Sequence, residues 1–171
     1  MGKQAELAGI ALGNIPELRE DILIIAGEQF NKGDLGWRKL LQLWGLNYNE
    51  RLKPALKIGN FQLRQNAKWN PADNLKLPEK TWLGGEFAGA RLTNYLQPKN
   101  LTLYTRDEYA VMKALSLLPD PEGDIELYHP FWPEKTDIGL LDMVNPLITW
   151  AELAFHDDQR NRETAERVLE F

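Results

Sequence analysis

The residues of this chain best placed for chemistry are two consecutive glycines, Gly84 and Gly85, and the glutamate that follows them, Glu86. An apolar segment precedes the glycines and a helical pattern follows them, which predicts a strand, a tight turn and a helix. Glycines in such a turn allow a positive φ, so the amides at the start of the helix can face a phosphate or pack against a neighbour. Packing is the commoner use, and at least one of the two glycines is expected at positive φ.

A strand, a Gly-Gly turn, a helix and a second strand also form the front of the nucleotidyltransferase fold. Enzymes of that fold bind two metal ions through paired aspartates on the second strand and a carboxylate on a later strand. Here the place of the pair holds Thr102 and Tyr104, Glu86 stands where serine is expected, and Asp124 and Glu126 lie further along the chain. Hydroxyl groups cannot replace two anionic ligands of Mg²⁺. The pattern predicts a degenerate core that is not an enzyme, and a divergent, active nucleotidyltransferase is the alternative.

Other catalytic and metal-binding patterns are missing from the sequence. His129 and His156 are isolated, cysteine is absent, and there is no HExxH, Walker, GxSxG or GxGxxG motif. Without cysteine neither a thiolate nucleophile nor a thiolate zinc site can be built. The sequence predicts no catalytic residue, no metal ligand and no cofactor.

The elements that position the turn run from Thr81 to Arg106. Trp82 and Leu83 open the first strand, and the helix is predicted from residues at a spacing near 3.6, which are Phe87, Ala90, Arg91, Asn94 and Tyr95. Pro98 and Asn100 are expected to close this helix. Residues 101–106 then alternate as in a second strand.

The remaining C-terminal pattern predicts three helices, a strand and a loop. The first helix covers residues 107–118. Asp107 is expected to cap it, and Pro119 and Pro121 are expected to stop it. Its apolar residues on one side are Tyr109, Met112, Leu115 and Leu118. A strand over residues 124–132 and a loop over 133–144 follow. The last two helices are NPLITWAELAF and NRETAERVLEF, joined by the turn HDDQR, and the first of them begins at Asn145-Pro146.

The N-terminal part has a mainly helical pattern. Residues 15–25 fit a helix slightly better than a buried strand, and Pro16 suits a first helical position. Asp34 is a candidate N-cap for a second helix, whose apolar stripe is formed by Leu35, Trp37, Leu40, Leu41 and Trp44. At this spacing the tryptophans are expected in the core rather than on a platform for bases.

A basic segment follows these helices, because residues 51–80 hold seven Lys or Arg and two acidic residues. Residues 56–63 suggest a strand or a bent hairpin, and residues 70–73 a loop. The candidate contacts to nucleic acid or a partner are Arg51, Lys53, Lys57, Arg64, Lys68 and Trp69. Alternatively, these residues form the solvated face of an edge hairpin, and its lysines prevent aggregation.

Composition places the chain among globular proteins that carry no structural disulfide. The chain has 171 residues, 43% apolar residues, six tryptophans and a net charge of −5. No apolar run can span a bilayer, and the N-terminus lacks the layout of a signal peptide, so a cytoplasmic protein without membrane partners is expected. Residues 107–171 hold fifteen acidic and five basic residues, which makes them a poor surface for nucleic acid.

Several segments, in this order, resemble the C-terminal domain of AbiEi-type antitoxins. They are the Gly84-Gly85-Glu86 turn, Tyr95-Leu96 with Pro98, Thr102-Leu103-Tyr104, Phe131-Trp132, and Arg160-Asn161 with Glu163-Thr164-Ala165. The similarity begins near residue 50 and covers about two-thirds of the chain. Members of this family regulate bacterial type IV toxin–antitoxin systems.

The resemblance implies a non-catalytic antitoxin that represses its own operon and neutralises a nucleotidyltransferase-type toxin, its functional partner. Family members usually carry a winged helix as well, but residues 1–35 are shorter than one and acidic on balance. DNA binding is therefore expected to be weak, or to need the missing winged-helix domain. We expect an α/β (α+β) fold: a mixed sheet with a nucleotidyltransferase-like core over residues 47–171, preceded by a mainly helical segment over residues 1–46. A generic protein-interaction domain is a further alternative.

Overall fold

The computed structural model of the protein describes residues 35–64, 76–132 and 142–170. The chain divides into two units, Met1–Ala55 and Leu56–Phe171. The predictions for residues 15–25, Asp34 and residues 70–73 lie outside the described residues. The division into domains at residues 46 and 47 stays a prediction.

The first unit contains the helix α1 (Leu35–Asn47), which confirms the helix predicted from the apolar stripe. A five-residue π-helical turn, Tyr48–Leu52, follows it and leads into the short helix α2 (Lys53–Leu56). The rings of Trp44 and Tyr48 stack at a centroid distance of 5.5 Å, and Tyr48 is buried. This aromatic pair packs one side of α1 inside its own unit.

The second unit is built on a five-stranded mixed sheet with the strand order β2-β3-β5-β1-β4. The strands are β1 (Lys57–Leu63), β2 (Thr81–Gly84), β3 (Leu101–Thr105), β4 (Leu117–Pro119) and β5 (Ile125–Tyr128). β3 and β5 run parallel, and the other neighbouring strands are antiparallel. The expectation of a mixed α/β domain is therefore confirmed.

The helix α3 (Gly85–Thr93) starts directly after β2, as the Gly-Gly pattern predicts. It ends earlier than expected, because Asn94 adopts a left-handed conformation with φ 52 and its amide donates to the carbonyl of Ala90. Asparagine tolerates this conformation better than most residues, so it ends helices. Tyr95, Pro98 and Asn100 therefore follow the helix and connect it to β3.

The helix expected over residues 107–118 is correct at its start and wrong at its end. In α4 (Glu108–Ala114), the Asp107 side chain accepts a hydrogen bond from the Ala110 amide, which confirms the predicted cap. Ser116 adopts a left-handed conformation with φ 54, which stops the helix. Residues 117–119 then form β4, and Val111 rather than Tyr109 is the fully buried residue of α4.

The strand that the structure describes in the basic segment, β1, is not part of an edge hairpin. β1 lies inside the sheet, between β5 and β4, and both of these partners come much later in the chain. The pairing with β5 is irregular between Lys57 and Gly59, as at a β-bulge. The interpretation of this segment as an edge hairpin is therefore wrong.

Two helices close the chain, as predicted. In α5 (Pro146–Ala154) the Asn145 side chain caps the Leu147 amide, and α6 (Gln159–Leu169) begins two residues earlier than expected, capped by Asp158. At the described end of the segment predicted as a loop, the Leu83 amide donates to the Asp142 carbonyl and the Val144 amide donates to the Leu83 carbonyl. This segment pairs with β2 in parallel at Leu83 and Met143.

Alternation along the strands divides the sheet into two faces. The first, called the core face, packs against α3 and α4 through the cluster Phe61, Leu83, Phe87, Ala88, Leu101, Leu103, Val111, Leu117, Ile125 and Leu127. The second, called the aromatic face, carries Trp82, Gly84, Thr102, Tyr104, Glu126 and Tyr128, which are neighbours in register. The described helices include none that is long and apolar enough to cross a membrane.

Candidate functional site

The Gly84-Gly85 turn has the backbone geometry that the sequence predicts. Gly85 has φ 52, whereas Gly84 is extended. A Cβ atom at Gly85 would lie 2.8 Å from Oγ1 of Thr102, so a side chain there would suffer both strain and a clash. The prediction of a positive φ is confirmed, and the turn is fixed by its approach to β3.

The amide at the start of α3 is bound by a side chain that the sequence analysis missed. Oε2 of Glu152 on α5 accepts a hydrogen bond of 2.7 Å from the Gly85 amide, and Oε1 accepts one of 2.7 Å from the Tyr104 hydroxyl. A Cβ atom at Gly84 would lie 2.8 Å from Oε2 of Glu152, so glycine makes room for this carboxylate. Because Gly84 has no side chain to cap the helix, Glu152 does so from a distant element.

Glu152 carried one signal in the sequence. It is the only charged residue in the helix PLITWAELA. If Glu152 were exposed, other polar residues would be expected beside it on the same face of the helix. A buried carboxylate needs hydrogen-bond donors, so a lone acid in an apolar helix indicates a partner elsewhere. The pattern did not indicate that this partner would be the Gly-Gly turn.

Glu86 binds the connection between α3 and β3. Its Oε2 accepts hydrogen bonds from the backbone amides of Lys99 at 2.5 Å and Asn100 at 3.2 Å. Its Oε1 accepts from the side-chain amides of Asn100 at 3.3 Å and Asn161 at 3.1 Å. Glu86 is buried, and it therefore joins α3, the following connection and α6 as a structural carboxylate.

The candidate carboxylates for the later strand are separated. Glu126 lies beside Thr102 in register on β5, where its carboxylate binds Nζ of Lys57 at 2.7 Å and accepts from the Tyr128 hydroxyl at 3.0 Å. Asp124 precedes β5 and is exposed. In the ranges that the structure describes, no group of three or more His, Cys, Asp or Glu residues is arranged to hold a metal ion.

The rest of the aromatic face is packed with rings. The ring of Tyr104 stacks on that of Tyr128 at a centroid distance of 5.4 Å and lies 5.5 Å, between centroids, from the ring of Trp132. Trp82 packs against Trp132 edge to face. Arg106 donates to the backbone carbonyl of Trp132 and so fixes the position of this tryptophan. Burial, followed by the neighbouring charge of Glu126, raises the pKa of Tyr128, so its hydroxyl stays protonated and able to donate at neutral pH.

The basic candidates are distributed over both units. Arg51 and Lys53 belong to the first unit, and Lys57 and Arg64 belong to β1 and its end in the second. Lys57 forms an ion pair with Glu126, whereas the Arg64 side chain is exposed. Lys68 and Trp69 lie outside the described residues. A role for these residues in binding nucleic acid or a partner stays a prediction.

A second polar cluster lies on the exterior, between the end of α3 and α6. The Tyr95 hydroxyl donates to Oε2 of Glu163 at 2.6 Å, Gln159 donates to the other oxygen, and the Arg167 guanidinium lies 3.9 Å from the Tyr95 ring centroid. The hydrogen bond from Tyr95, and then that from Gln159, lowers the pKa of Glu163. This cluster joins Tyr95 and Glu163, which belong to two separate segments that carry the resemblance noted from the sequence.

Comparison with known proteins gives one match. A family model described as a transcriptional regulator, AbiEi antitoxin, of type IV toxin–antitoxin systems matches residues 35–171. No curated protein matches the chain significantly, and neither does any solved structure.

Proposed function

The chain belongs to the family of AbiEi antitoxins, the transcriptional regulators of type IV toxin–antitoxin systems, and on this premise we propose that it is a non-catalytic regulatory domain linked to repression of its own operon. In this proposal the domain binds DNA only weakly by itself, or through a winged-helix domain. Its functional partner is a cognate toxin of the nucleotidyltransferase type. Antitoxin and toxin are encoded together in such systems, so repression by the antitoxin limits the supply of both. The cytoplasm is the compartment in which this regulation takes place.

One observation carries the non-catalytic part of the proposal. Where a two-metal enzyme needs paired carboxylates, the aromatic face presents Thr102 and Tyr104, and the Tyr104 hydroxyl is hydrogen-bonded to Glu152. Glu152 also accepts a hydrogen bond from the Gly85 amide. This amide, which would bind a phosphate in an enzyme, therefore already has a partner within the protein. A nucleotide with its Mg²⁺ would have to break both contacts and would still lack the paired carboxylates on β3.

We also propose that the sheet is a degenerate nucleotidyltransferase core. In support, a strand, a Gly-Gly turn, a helix and an antiparallel second strand follow one another as β2, α3 and β3. Thr102 and Tyr104 share the aromatic face with Glu126 on β5, the strand that runs parallel to β3. A core of this kind would let an antitoxin share its architecture with the toxin it regulates without sharing the toxin's chemistry.

An active, divergent nucleotidyltransferase is the second candidate, and Glu126 is the observation that favours it. This carboxylate lies beside Thr102 in register, where a later-strand metal ligand would be expected. Against it, Glu126 is held by Lys57 and Tyr128, and its neighbours on β3 are a threonine and a tyrosine. A generic interaction domain, the third candidate, explains neither the family match nor the filled turn.

The proposal is tested in a bacterial host by expressing the chain with the product of the neighbouring gene. A neighbour with a Gly-Ser turn and paired aspartates should stop growth alone, and growth should recover when this chain is co-expressed from a separate promoter. The double variant T102A/E126A, which alters the candidate metal face, should restore growth as well as the unchanged chain does. Loss of rescue in this variant, with the protein still folded and abundant, would contradict a non-catalytic mechanism.

A further inference from the structure

We propose that the Gly84-Gly85 turn and the Tyr104 hydroxyl form an oxyanion-binding site that the chain occupies with its own Glu152, and that a free carboxylate binds there when this side chain is removed. This inference goes beyond the regulatory function and does not depend on it. It assigns a ligand class, small oxyanions, to a position at the interface of β2, β3 and α5.

The first support is that donors from two different elements converge on one carboxylate. The Gly85 amide lies 2.7 Å from Oε2 of Glu152, and the Tyr104 hydroxyl lies 2.7 Å from Oε1. Both distances are typical of strong hydrogen bonds to a charged acceptor. The Gly85 amide is also the first amide of a nine-residue helix, whose dipole favours negative charge at this end.

The second support is that the surrounding side chains make room for an anion and keep water away. Tyr104 has no exposed surface, and Glu152 is 7% exposed. A Cβ atom at Gly84 would lie 2.8 Å from the carboxylate oxygen and equally close to the Tyr104 ring, so any other residue at position 84 would intrude on the site. Burial strengthens each hydrogen bond to the anion, and it makes the loss of that anion costly for its two donors.

The third support is that the occupant comes from an element unrelated to the turn by sequence. Glu152 is 67 residues beyond Gly85 and 48 beyond Tyr104, and α5 reaches the turn only through the tertiary fold. The site therefore has two separable parts, a pair of donors on α3 and β3 and a carboxylate supplied by α5. Such a site can be emptied by one substitution without altering its donors.

The experiment is chemical rescue of E152A by acetate, which replaces atom for atom the methylene and carboxylate that this substitution removes. Thermal melting is followed in sodium acetate and in sodium chloride at equal ionic strength and pH. Acetate should raise the Tm of E152A saturably above its value in chloride, because it binds the folded state only. The unchanged protein and E152Q, whose site stays filled, should show no difference between the two salts.

A double variant identifies the site of rescue. In Y104F/E152A one of the two donors is lost, so the acetate concentration for half-maximal rescue should rise by about tenfold or more. If E152A does not fold in chloride, soluble recovery after refolding should be restored by acetate and not by chloride. Equal effects of both salts on E152A, no recovery in either, or an unchanged half-maximal concentration in the double variant would overturn the proposal. None of these results would bear on toxin neutralisation, which is measured separately in cells.

Discussion

Oε1 of Glu152 on α5 lies 2.7 Å from the hydroxyl of Tyr104 on β3. The hydroxyl donates and the carboxylate accepts, so the contact holds a helix against the sheet. A pair of this kind cannot coordinate Mg²⁺ as two carboxylates do, because one member is a hydroxyl whose hydrogen is donated to the other. The relationship leads to predictions for binding, stability and titration.

The first prediction concerns nucleotide binding. The protein should bind Mg²⁺ and nucleoside triphosphates no better than a protein of similar charge, because Thr102 and Tyr104 supply no anionic ligand. Isothermal titration with Mg²⁺ and each nucleotide checks this. Saturable binding, or transfer of a labelled nucleotide that disappears in E86A, D124A or E126A, would establish the enzyme as the better description.

The second prediction concerns the turn. Replacing Gly85 by valine should lower the free energy of unfolding by about 1–3 kcal/mol, because the backbone is at positive φ and the new side chain meets Thr102. Gly59 is the matched control, since a Cβ atom there would be in ordinary contact with the Phe61 ring at 3.5 Å. Urea denaturation of G85V and G59A measures both effects. Equal stability of G85V and the unchanged protein would show that the turn does not organise the fold.

The third prediction concerns Glu86, which is buried and accepts from two backbone amides and two asparagine side chains. E86A leaves these donors without an acceptor, so we expect it to reduce the free energy of unfolding by about 1–3 kcal/mol. E108A is the control, because Glu108 occupies the first turn of α4 and is exposed. Hydrogen exchange should also show faster exchange of the Lys99 and Asn100 amides in E86A. Unchanged exchange at these two amides would contradict the assigned role.

The fourth prediction concerns duplex DNA. The chain should bind it weakly or not at all, and any binding should disappear between low and physiological salt, because the main basic excess is confined to residues 51–80, with seven Lys or Arg and two acids. The ten net negative charges of residues 107–171 would repel phosphates. A gel-shift titration with the operon promoter checks this. A sequence-specific complex below micromolar concentration at physiological salt would reveal a DNA-reading element that the sequence analysis did not recognise.

The fifth prediction concerns titration of Glu163. Y95F removes the hydrogen bond that contributes most to its lowered pKa, so the pKa should rise toward the ordinary value of a glutamate. Because the folded-state pKa lies below the unfolded one, the interaction stabilises the protein above the unfolded pKa and is lost as the pH falls through the folded pKa. Carboxyl NMR titration of the unchanged protein and Y95F measures the shift. A Glu163 pKa that is the same in both proteins would contradict the role assigned to Tyr95.

Sequence reasoning succeeded where structure is determined by neighbouring residues. The β2–α3–β3 order, the Asp107 and Asn145 caps and the positive φ at the turn all follow from the chemistry of local segments. β4 was missed because the sequence around Leu117 continues an apolar helical pattern. Its strand conformation depends on pairing with β1, for example Leu117 with Leu63, and this partner could not be read from the segment itself.

The site was anticipated only in part for the same reason. The turn and the β3 residues Thr102 and Tyr104 were identified by their order, and their chemistry predicted that metal would not be bound. Neither pattern indicated Glu152, because its contact with Gly85 depends on how α5 packs after the whole sheet has formed. Glu126 was selected for its strand, but its ion pair with Lys57 depends on the long-range pairing of β1 and β5.

The position of β1 in the sheet also determines when this unit can fold during synthesis. β1 pairs with no strand that precedes it among the described residues, because Leu63 pairs with Leu117 and Phe61 pairs with Ile125. A ribosome that adds about 5–20 residues per second needs roughly 3–13 s to supply these partners. During that interval Phe61 and Leu63 belong to an incomplete sheet, and loop closure over such a distance is slow. The rate of translation through residues 64–125, and the chaperones present at that time, should therefore affect the yield of folded protein even for variants whose final stability is unchanged.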